Sequence, residues 1–226
     1  MKVLLISSKP IYPKNDGGSV AMDNFLKSLL AAHFEVRHLA IGTEKHPYKK
    51  VNYPVDLQNK ISINGQNIST SVNAFSALKS LFKNGSYNVN RFHSKDVFKK
   101  IEKEIKETKF DTIIFESLFS TIYLNEIREI FSGNILTRIH NIEANIWKDY
   151  WRNENSFFKK LFLKKLHRDL EKYEIETFKK IDGKIAISDD DRDSILALDI
   201  DANVITIPVA ISDIQNHNNY SNTSVF

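Results

Sequence analysis

The sequence predicts an α/β fold in which a doubly wound, mostly parallel sheet carries helices on both faces. Short apolar runs alternate along the chain with longer amphipathic stretches, a pattern typical of such folds. Most of the runs are apolar on both sides, as strands at the centre of a parallel sheet are. The predicted strands are Val3–Ser7, Glu35–Ala40, Thr112–Phe115, Ile135–Ile139, Lys184–Ile187 and Val204–Ile207. This order of elements is Rossmann-like.

Seven helices are predicted between and after these strands: Val20–Ala32, Ala74–Phe82, Lys95–Thr108, Thr121–Phe131, Ala144–Asn153, Phe157–Ile181 and Asp189–Ala197. Ser188 and Asp191 have the spacing of a capping box, in which a hydroxyl and a carboxylate satisfy free amides at a helix start. Gly183 follows the two lysines that end the longest helix, and glycine at such a stop can take positive φ.

Two segments break the alternation. Gly42–Gln66 is polar and contains Pro47 and Pro54, which predicts a long loop with one hairpin, and loops of this kind often carry function. Residues 212–226 are rich in Asn, Ser and Thr, which indicates a linker. We therefore expect one domain over residues 1–211, followed by a linker and the start of a second domain.

The composition excludes several classes of protein. Of the 226 residues, 42% are hydrophobic and 27% are charged, which is ordinary for a folded soluble chain. There is no cysteine, so disulfides, thiolate metal sites and cysteine nucleophiles are excluded, and a reducing cytoplasm is favoured. The net charge of +4 and the pI of about 9.0 are mild, so we expect no nucleic-acid partner. No apolar stretch approaches the roughly 20 residues that span a bilayer.

A polar loop with paired glycines follows the first predicted strand. Gly17 and Gly18 stand before the next helix, at the carboxyl edge of the sheet, where ligands of doubly wound proteins bind. Glycine lets the backbone approach a ligand closely, and the positive end of a helix favours an anion such as a diphosphate. The alternative is that the glycines only turn the chain into the helix. Neither G-x-G-x-x-G nor a Walker loop occurs, which argues against dehydrogenases and P-loop NTPases.

A second polar cluster follows the strand Ile135–Ile139 and lies at the same predicted edge. Its members are Arg138, His140, Asn141 and Glu143. His140 can donate or accept a hydrogen bond near neutral pH, which suits contact with a sugar hydroxyl or proton transfer. The alternative is that Asn141 caps the following helix and that His140 is a polar core residue.

Glu116, directly after the strand Thr112–Phe115, is a further candidate at this edge, although it can equally complement the dipole of a following helix. The other histidines lack close ligand spacing such as H-E-x-x-H, so no metal site is expected, and we expect most of these histidines at the surface or at helix ends. No G-x-S-x-G elbow is present, which argues against an α/β-hydrolase.

The order and spacing of these motifs resemble the N-terminal domain of GT-B glycosyltransferases of the family 4 type. The matching segments are Val3–Ser7 with the Gly17-Gly18 loop, Arg138–Glu143 with Trp147, Tyr173-Glu174 leading to Asp182–Ser188, and Val204–Ile211. The resemblance covers nearly the whole chain.

The resemblance implies one half of a GT-B architecture, in which the active site lies between two Rossmann-like domains. It implies a retaining transfer of a sugar from a nucleotide-sugar donor to a glycan or lipid-linked acceptor, without metal or other cofactor, in cell-surface polysaccharide or glycoconjugate synthesis. A missing C-terminal domain would supply a basic residue and the Glu-x7-Glu carboxylates. We therefore expect this chain to be inactive alone.

The resemblance also implies roles for individual residues. Gly17 and Gly18 would approach the donor diphosphate, and His140 would meet the donor sugar as the catalytic residue. The remaining candidates for donor or acceptor binding are Glu116, Arg138, Asn141 and Glu143.

A basic amphipathic stretch runs from Phe157 to Tyr173. Five cations and no acid occur between Phe157 and Arg168, with apolar residues at helical spacing. The pattern is typical of a helix that rests on an anionic membrane, which would give peripheral contact at the inner face of the membrane. The alternative is an apolar stripe that faces the core, with solvated lysines outside.

A function of a different class stays open, namely a non-catalytic α/β module that binds a sugar or a phosphorylated small ligand. A second Rossmann-like pattern with paired glutamates encoded beyond Phe226 would favour the enzyme. A stop codon there would favour the module.

Overall fold

The computed structural model describes residues 1–70, 85–198 and 203–208. Its seven-stranded sheet is parallel throughout, which confirms the predicted Rossmann-like α/β fold. The strands are β1 (Lys2–Ser7), β2 (Glu35–Gly42), β3 (Ser62–Asn67), β4 (Thr112–Glu116), β5 (Asn134–Ile139), β6 (Gly183–Ala186) and β7 (Val204–Thr206). Their order across the sheet is β3-β2-β1-β4-β5-β6-β7.

The described α-helices are α1 (Gly17–Ala31), α2 (Val55–Lys60), α3 (Tyr87–Asn90), α4 (Lys95–Glu107), α5 (Leu124–Ile130), α6 (Glu143–Asn153), α7 (Phe157–Lys180) and α8 (Asp189–Leu196). Short 3₁₀ helices cover Lys50–Asn52 and Leu118–Tyr123, and the second of these begins before the predicted helix Thr121–Phe131. The predicted helix Ala74–Phe82 and the predicted linker 212–226 lie outside the described residues. Among the described helices, none combines the length and the apolar character needed to cross a bilayer.

The two faces of the sheet follow from the two-residue period of its strands. On β1, Val3 and Leu5 join the cluster that packs against α1, whereas Leu4 and Ile6 join the cluster formed with α4 and α5. All four side chains are fully buried. Because neighbouring residues of a strand point to opposite faces, a continuous apolar run is what a strand covered on both sides requires.

The prediction of a hairpin within Gly42–Gln66 is wrong. β3 pairs with β2 in parallel, and the crossover between them contains a 3₁₀ turn and α2. α2 has only six residues, which is too short to show a helical period in the sequence. β3 is an edge strand of sequence SINGQN with partly exposed positions, so it lacks the apolar run that marks the central strands.

The structure tests the sequence signals predicted for the start of α8 and for the end of α7. The predicted N-cap is confirmed, because Ser188 Oγ accepts a hydrogen bond from the backbone N–H of Asp191 at 3.1 Å, whereas the Asp191 carboxylate accepts from the Ser188 hydroxyl and not from a backbone amide as a full capping box requires. The expectation of positive φ at Gly183 is wrong, since this glycine begins β6. A Cβ there would lie 2.9 Å from Leu136 Cδ2, so close packing between β5 and β6 accounts for the glycine.

The strand order reverses at β1. The chain moves from β1 to β2 on one side of the sheet, and β4 is the neighbour of β1 on the other side. Because the connections after β1 and β4 leave in opposite directions, a crevice opens between the carboxyl ends of these two strands. The candidate site lies there.

Candidate functional site

A cleft of about 470 Å³ opens at the carboxyl edge of the sheet, beside the ends of β1 and β4. The candidate residues that line it are Gly18, Glu116, His140, Asn141 and Glu143. The structure thus brings the glycine loop after β1 and the imidazole after β5 to one groove. Gly17 and Arg138 are not among the lining residues.

Glu116 is the buried anchor of the cleft floor, with 1% of its surface exposed. Arg138 Nη1 donates to both carboxylate oxygens of Glu116, each at 3.2 Å, and the guanidinium lies over the ring of Phe25, with Cζ 4.7 Å from the centroid. Arg138 is itself only 1% exposed. The sequence-based expectation that Arg138 binds a ligand directly does not match this burial. Arg138 instead neutralises the carboxylate beneath the cleft.

His140 is held by the same carboxylate. Its Nε2 lies 2.8 Å from Glu116 Oε2 and 3.3 Å from Arg138 Nη1. A guanidinium has no lone pair to accept a proton, so the shorter contact to the carboxylate makes Nε2–H the donor. This assignment leaves Nδ1 without a hydrogen-bond partner among the described residues, while 18% of the side chain remains exposed. Nδ1 of the neutral ring is then an acceptor available to a ligand in the cleft.

The backbone amides at the N-terminus of α1 are partly satisfied by the protein's own side chains. Asp16 caps it, with Oδ1 accepting from the Ser19 N–H at 2.7 Å, and Lys9 Nζ lies 2.6 Å from the same oxygen. Burial would raise the pKa of Asp16, but the hydrogen bonds from Lys9 and Ser19 outweigh it and lower the pKa below its usual range. Gly18 lines the cleft beside this clasp, and a Cβ there would lie 3.0 Å from Lys9 Nζ. Fewer amides are therefore free for an anion than the sequence suggested.

Sequence reasoning missed a basic side of the cleft. Lys45 and His46 follow β2, Arg91 follows α3, and all three line the cleft. No carboxylate among the described residues forms a salt bridge with Lys45 or Arg91. Burial is the largest cause that lowers the pKa of His46, and the charges of Lys9 and Lys45 lower it further. This side of the cleft therefore favours an anionic ligand.

Two of the other histidines are buried, whereas most of these histidines were expected at the surface or at helix ends. His38 is 1% exposed within β2, where its Nε2 lies 2.8 Å from Ser7 Oγ, and burial lowers its pKa to about 3. His167 is 5% exposed, and its Nδ1 lies 3.1 Å from the Ala144 carbonyl oxygen. Both positions lie outside the cleft lining.

A hydroxyl pair bridges the two strand ends at the crevice. Ser8, after β1, and Ser117, after β4, are joined Oγ to Oγ at 2.7 Å. Ser117 has φ 94° and ψ 157°, a backbone region that is almost restricted to glycine. Strain of this kind persists where the surrounding structure enforces it, and it is frequent at ligand sites. The bridge holds the strained residue against the cleft.

The end of β5 is secured by a carboxylate from another helix. Glu174 of α7 accepts hydrogen bonds from the backbone N–H groups of Glu143 at 2.9 Å and Ala144 at 3.0 Å, and so caps α6. Asn141 makes no such cap and instead lines the cleft, so the alternative that it caps this helix is wrong. Burial raises the pKa of Glu143 to about 7, and burial is also the largest cause that raises the pKa of Glu174 to about 7. Glu143 can therefore exchange a proton near neutral pH.

Solved structures of glycosyltransferases share this fold. The UGT2 of Phytolacca americana, complexed with UDP-2fluoro-glucose and pterostilbene, has a TM-score of 0.55 at 13% identity, over 94% of this chain and 55% of its own. Sucrose-phosphate synthase from Thermosynechococcus elongatus has a TM-score of 0.55 at 12% identity, over 92% of this chain and 48% of its own. A UGT transferase from Siraitia grosvenorii in complex with UDP has a TM-score of 0.53 at 9% identity, over 94% and 52%.

The chain spans about half the length of these structures. They are glycosyltransferases of the GT-B fold, and at such low identity the likeness establishes the fold alone: this chain has the Rossmann-like fold of one half of a GT-B protein. No protein-family model matches the sequence, and no curated protein matches it either. The family 4 type stays a prediction from the sequence.

The strain at Ser117 is measurable with two variants that both remove the hydroxyl. Because only glycine adopts this backbone region freely, we expect Ser117→Gly to be more stable than Ser117→Ala by about 1–2 kcal/mol. Urea unfolding measures the difference. The control position is Ser132, which is exposed and lies outside the positive-φ region. There the order should reverse, so that Ser132→Ala is more stable than Ser132→Gly. Equal stability of the two Ser117 variants would contradict the strain.

The cap that Glu174 provides predicts a pH-dependent loss of stability. Glu174→Ala removes the acceptor of two backbone N–H groups, so we expect the free energy of unfolding to fall by about 1–2 kcal/mol at about pH 5. The pKa of Glu174 is raised on folding, so its contribution is complete below the unfolded value and declines as the pH rises through about 7. The loss should therefore be smaller at about pH 8.

The matched control is Glu176→Ala on the same helix, because Glu176 is exposed and pairs only with Lys172 at 3.9 Å. We expect it to change the free energy of unfolding by less than about 0.5 kcal/mol at either pH. A loss for Glu174→Ala that grows with pH would show that the carboxylate form is the one favoured on folding.

Proposed function

We propose that residues 1–211 form the N-terminal, acceptor-side domain of a retaining glycosyltransferase of the family 4 type. The reaction proposed is transfer of a sugar from a nucleotide-sugar donor to a glycan or lipid-linked acceptor, in cell-surface polysaccharide or glycoconjugate synthesis. The observation that carries the proposal is the anchored imidazole of His140 in a carboxyl-edge cleft, in a fold shared with glycosyltransferases.

The cleft offers the chemistry that such a reaction needs. Its volume of about 470 Å³ lies in the range of small-molecule sites. The basic side with Lys45 and Arg91, together with the backbone at Gly18, suits a diphosphate, whose charge these groups would balance. The donor diphosphate would lie between this side and a second domain that follows residues 212–226. The acceptor would occupy the remainder of the cleft.

His140 would act through the nitrogen that Glu116 leaves free. With Nε2–H committed to the carboxylate at 2.8 Å, Nδ1 can accept a hydrogen bond from a donor-sugar hydroxyl. Glu143, whose pKa burial raises to about 7, is a second group that can exchange a proton near neutral pH. The proposed roles are catalytic for His140, positioning for Glu116 and Arg138, and ligand binding for Asn141 and Glu143. Gly17, which lies outside the cleft lining, would contribute at most its backbone.

The resemblance favours a transfer that needs no metal, and cationic side chains would then stabilise the leaving diphosphate. The expected result is full activity after chelation with EDTA. The proposed location is the cytoplasm, at the inner face of the membrane. The runner-up is a non-catalytic module that binds a sugar or phosphorylated ligand in the same cleft, and it predicts ligand binding by this chain without turnover by any longer form.

His140 is tested in the protein that includes the sequence encoded beyond Phe226. His140→Ala removes the imidazole that Glu116 holds in the cleft, so we expect kcat to fall by about 10²-fold or more while the unfolding free energy changes little. Release of nucleoside diphosphate from a panel of nucleotide sugars measures the rate. If no donor is turned over by the longer protein, yet this chain binds sugar or phosphate, the module is the correct reading.

The matched control is His93→Ala. His93 also pairs with a glutamate, with Nε2 3.0 Å from Glu126 Oε2, but neither residue lines the cleft. We expect normal turnover in this variant. Normal turnover in His140→Ala would remove His140 from the reaction.

The positioning role of Glu116 is tested by Glu116→Gln against Glu126→Gln. An amide in place of the carboxylate keeps an oxygen that can accept from Nε2–H but removes the negative charge that holds the ring, so we expect kcat to fall about tenfold with little change in KM. The ¹⁵N shifts of the His140 ring in the parent protein should place the proton on Nε2. A proton on Nδ1 in the parent protein would contradict the assignment.

Glu116→Gln leaves the guanidinium of Arg138 buried without a counter-charge, which is costly. The double variant Glu116→Gln/Arg138→Met removes both charges and should recover most of the lost stability without recovering the rate. Recovery of the rate together with stability would show that the pair is only structural.

A further inference from the structure

The turn between α6 and α7 projects beyond the carboxyl edge of the sheet. Glu174 meets the N-terminus of α6 where β5 ends, so this residue marks the level of the edge. The 17 residues that precede it extend α7 by about 25 Å at 1.5 Å per residue. α6 runs back along this extension, with the ring of Trp151 stacked on His167 at 5.8 Å. We call the segment from Lys148 to Arg168 the hairpin tip.

Large apolar side chains at the hairpin tip are uncovered. Phe157 is 69% exposed, Phe158 81% and Leu161 52%. Farther along α7, Leu166 and Leu170 are 4% and 0% exposed. The apolar stripe therefore faces the core from Leu166 onward, and the first turn and a half is uncovered in the described residues.

The charge around these side chains is strongly positive. The hairpin tip holds seven cations and two carboxylates. Its cations are Lys148, Arg152, Lys159, Lys160, Lys164, Lys165 and Arg168. Lys165 pairs with Asp169 at 2.7 Å, whereas Lys159, Lys160 and Arg168 form no salt bridge within the described part of the chain. One carboxylate, that of Glu154, is committed to the Ser156 N–H at 2.8 Å.

We propose that the hairpin tip is a docking surface for anionic lipid. Exposed aromatic rings flanked by lysines suit the boundary between head groups and acyl chains, because the rings enter it and the ammonium groups remain at the phosphate level. A protein partner of ordinary surface would offer mixed charge, whereas a leaflet of anionic lipid complements the whole tip. This proposal deepens the membrane location proposed above, because it names the contact surface and the lipid chemistry. It rests on exposure and charge, so it does not depend on the transferase activity.

Vesicle binding tests the proposal on this chain. We expect sedimentation with vesicles of phosphatidylcholine and phosphatidylglycerol, at least about tenfold stronger than with phosphatidylcholine alone, and weakened by added salt. Both tryptophans of the chain lie on α6, Trp151 within the tip and Trp147 directly before it. Their emission should shift to shorter wavelength on binding, and brominated lipid should quench it. Equal binding to both vesicle types, or none, would overturn the proposal.

Two variants and a control localise the contact. Phe157→Ser/Phe158→Ser and Lys159→Glu/Lys160→Glu should each weaken vesicle binding about tenfold or more, with unchanged folding because the replaced side chains are exposed. The control Val51→Ser/Val55→Ser removes apolar side chains that are 82% and 71% exposed elsewhere, and it should bind as the parent does. Undiminished binding by the tip variants would overturn the assignment of the surface. So would a concentration-dependent dimer that only the phenylalanine variant dissolves, because the occupant would then be a second copy.

Discussion

The buried carboxylate of Glu116 is the interaction on which the cleft depends. In the parallel register of β4 and β5, Glu116 stands directly beside Arg138, so strand pairing itself supplies the counter-charge. Residues two apart on a strand share a face, which brings His140 to the same carboxylate as Arg138. The guanidinium also packs over Phe25 of α1. One charge therefore joins two strands, a helix and the imidazole at the cleft.

The cost of burying this carboxylate explains why the arrangement is rigid. A charge of 1% exposure in an interior of low dielectric is tolerated only while its partners keep their geometry. Displacement of Arg138 would leave both charges uncompensated, so the floor has little freedom to relax. The strained backbone of Ser117 follows immediately in sequence, and it is held by the bond from Ser8 across the crevice. An imidazole on this floor is oriented before any ligand arrives, which lowers the cost of binding.

Much of this could be predicted because parallel strands end at a common edge. That rule, applied to the strands of residues 3–7, 112–115 and 135–139, correctly brought Gly18, Glu116 and His140 together. Applied to the predicted strand Glu35–Ala40, it would also have reached Lys45 and His46.

Other features depended on context that a linear pattern does not carry. Arg138 is the last but one residue of a strand, and whether it points to solvent or to a carboxylate is decided by the register with β4. β3 carries polar residues because it is an edge strand, so its sequence reads as a loop. Arg91 reaches the cleft after a helix of four residues, too short for any periodicity. The cap on α6 comes from Glu174, about thirty residues away, so local capping rules point to Asn141 instead.

The cap by Glu174 also links the cleft to the hairpin tip. The same helix that carries Phe157 and Phe158 at its start places a carboxylate on the amides of Glu143 and Ala144, directly after the cleft residues His140 and Asn141. Since the hairpin projects from the edge at which the cleft opens, a surface in contact with the tip lies on the side from which the cleft is entered. One helix, α7, then sets both where the protein docks on a surface and from which side the cleft is entered. This gives a physical reason for the extension of α7 beyond the sheet that it covers.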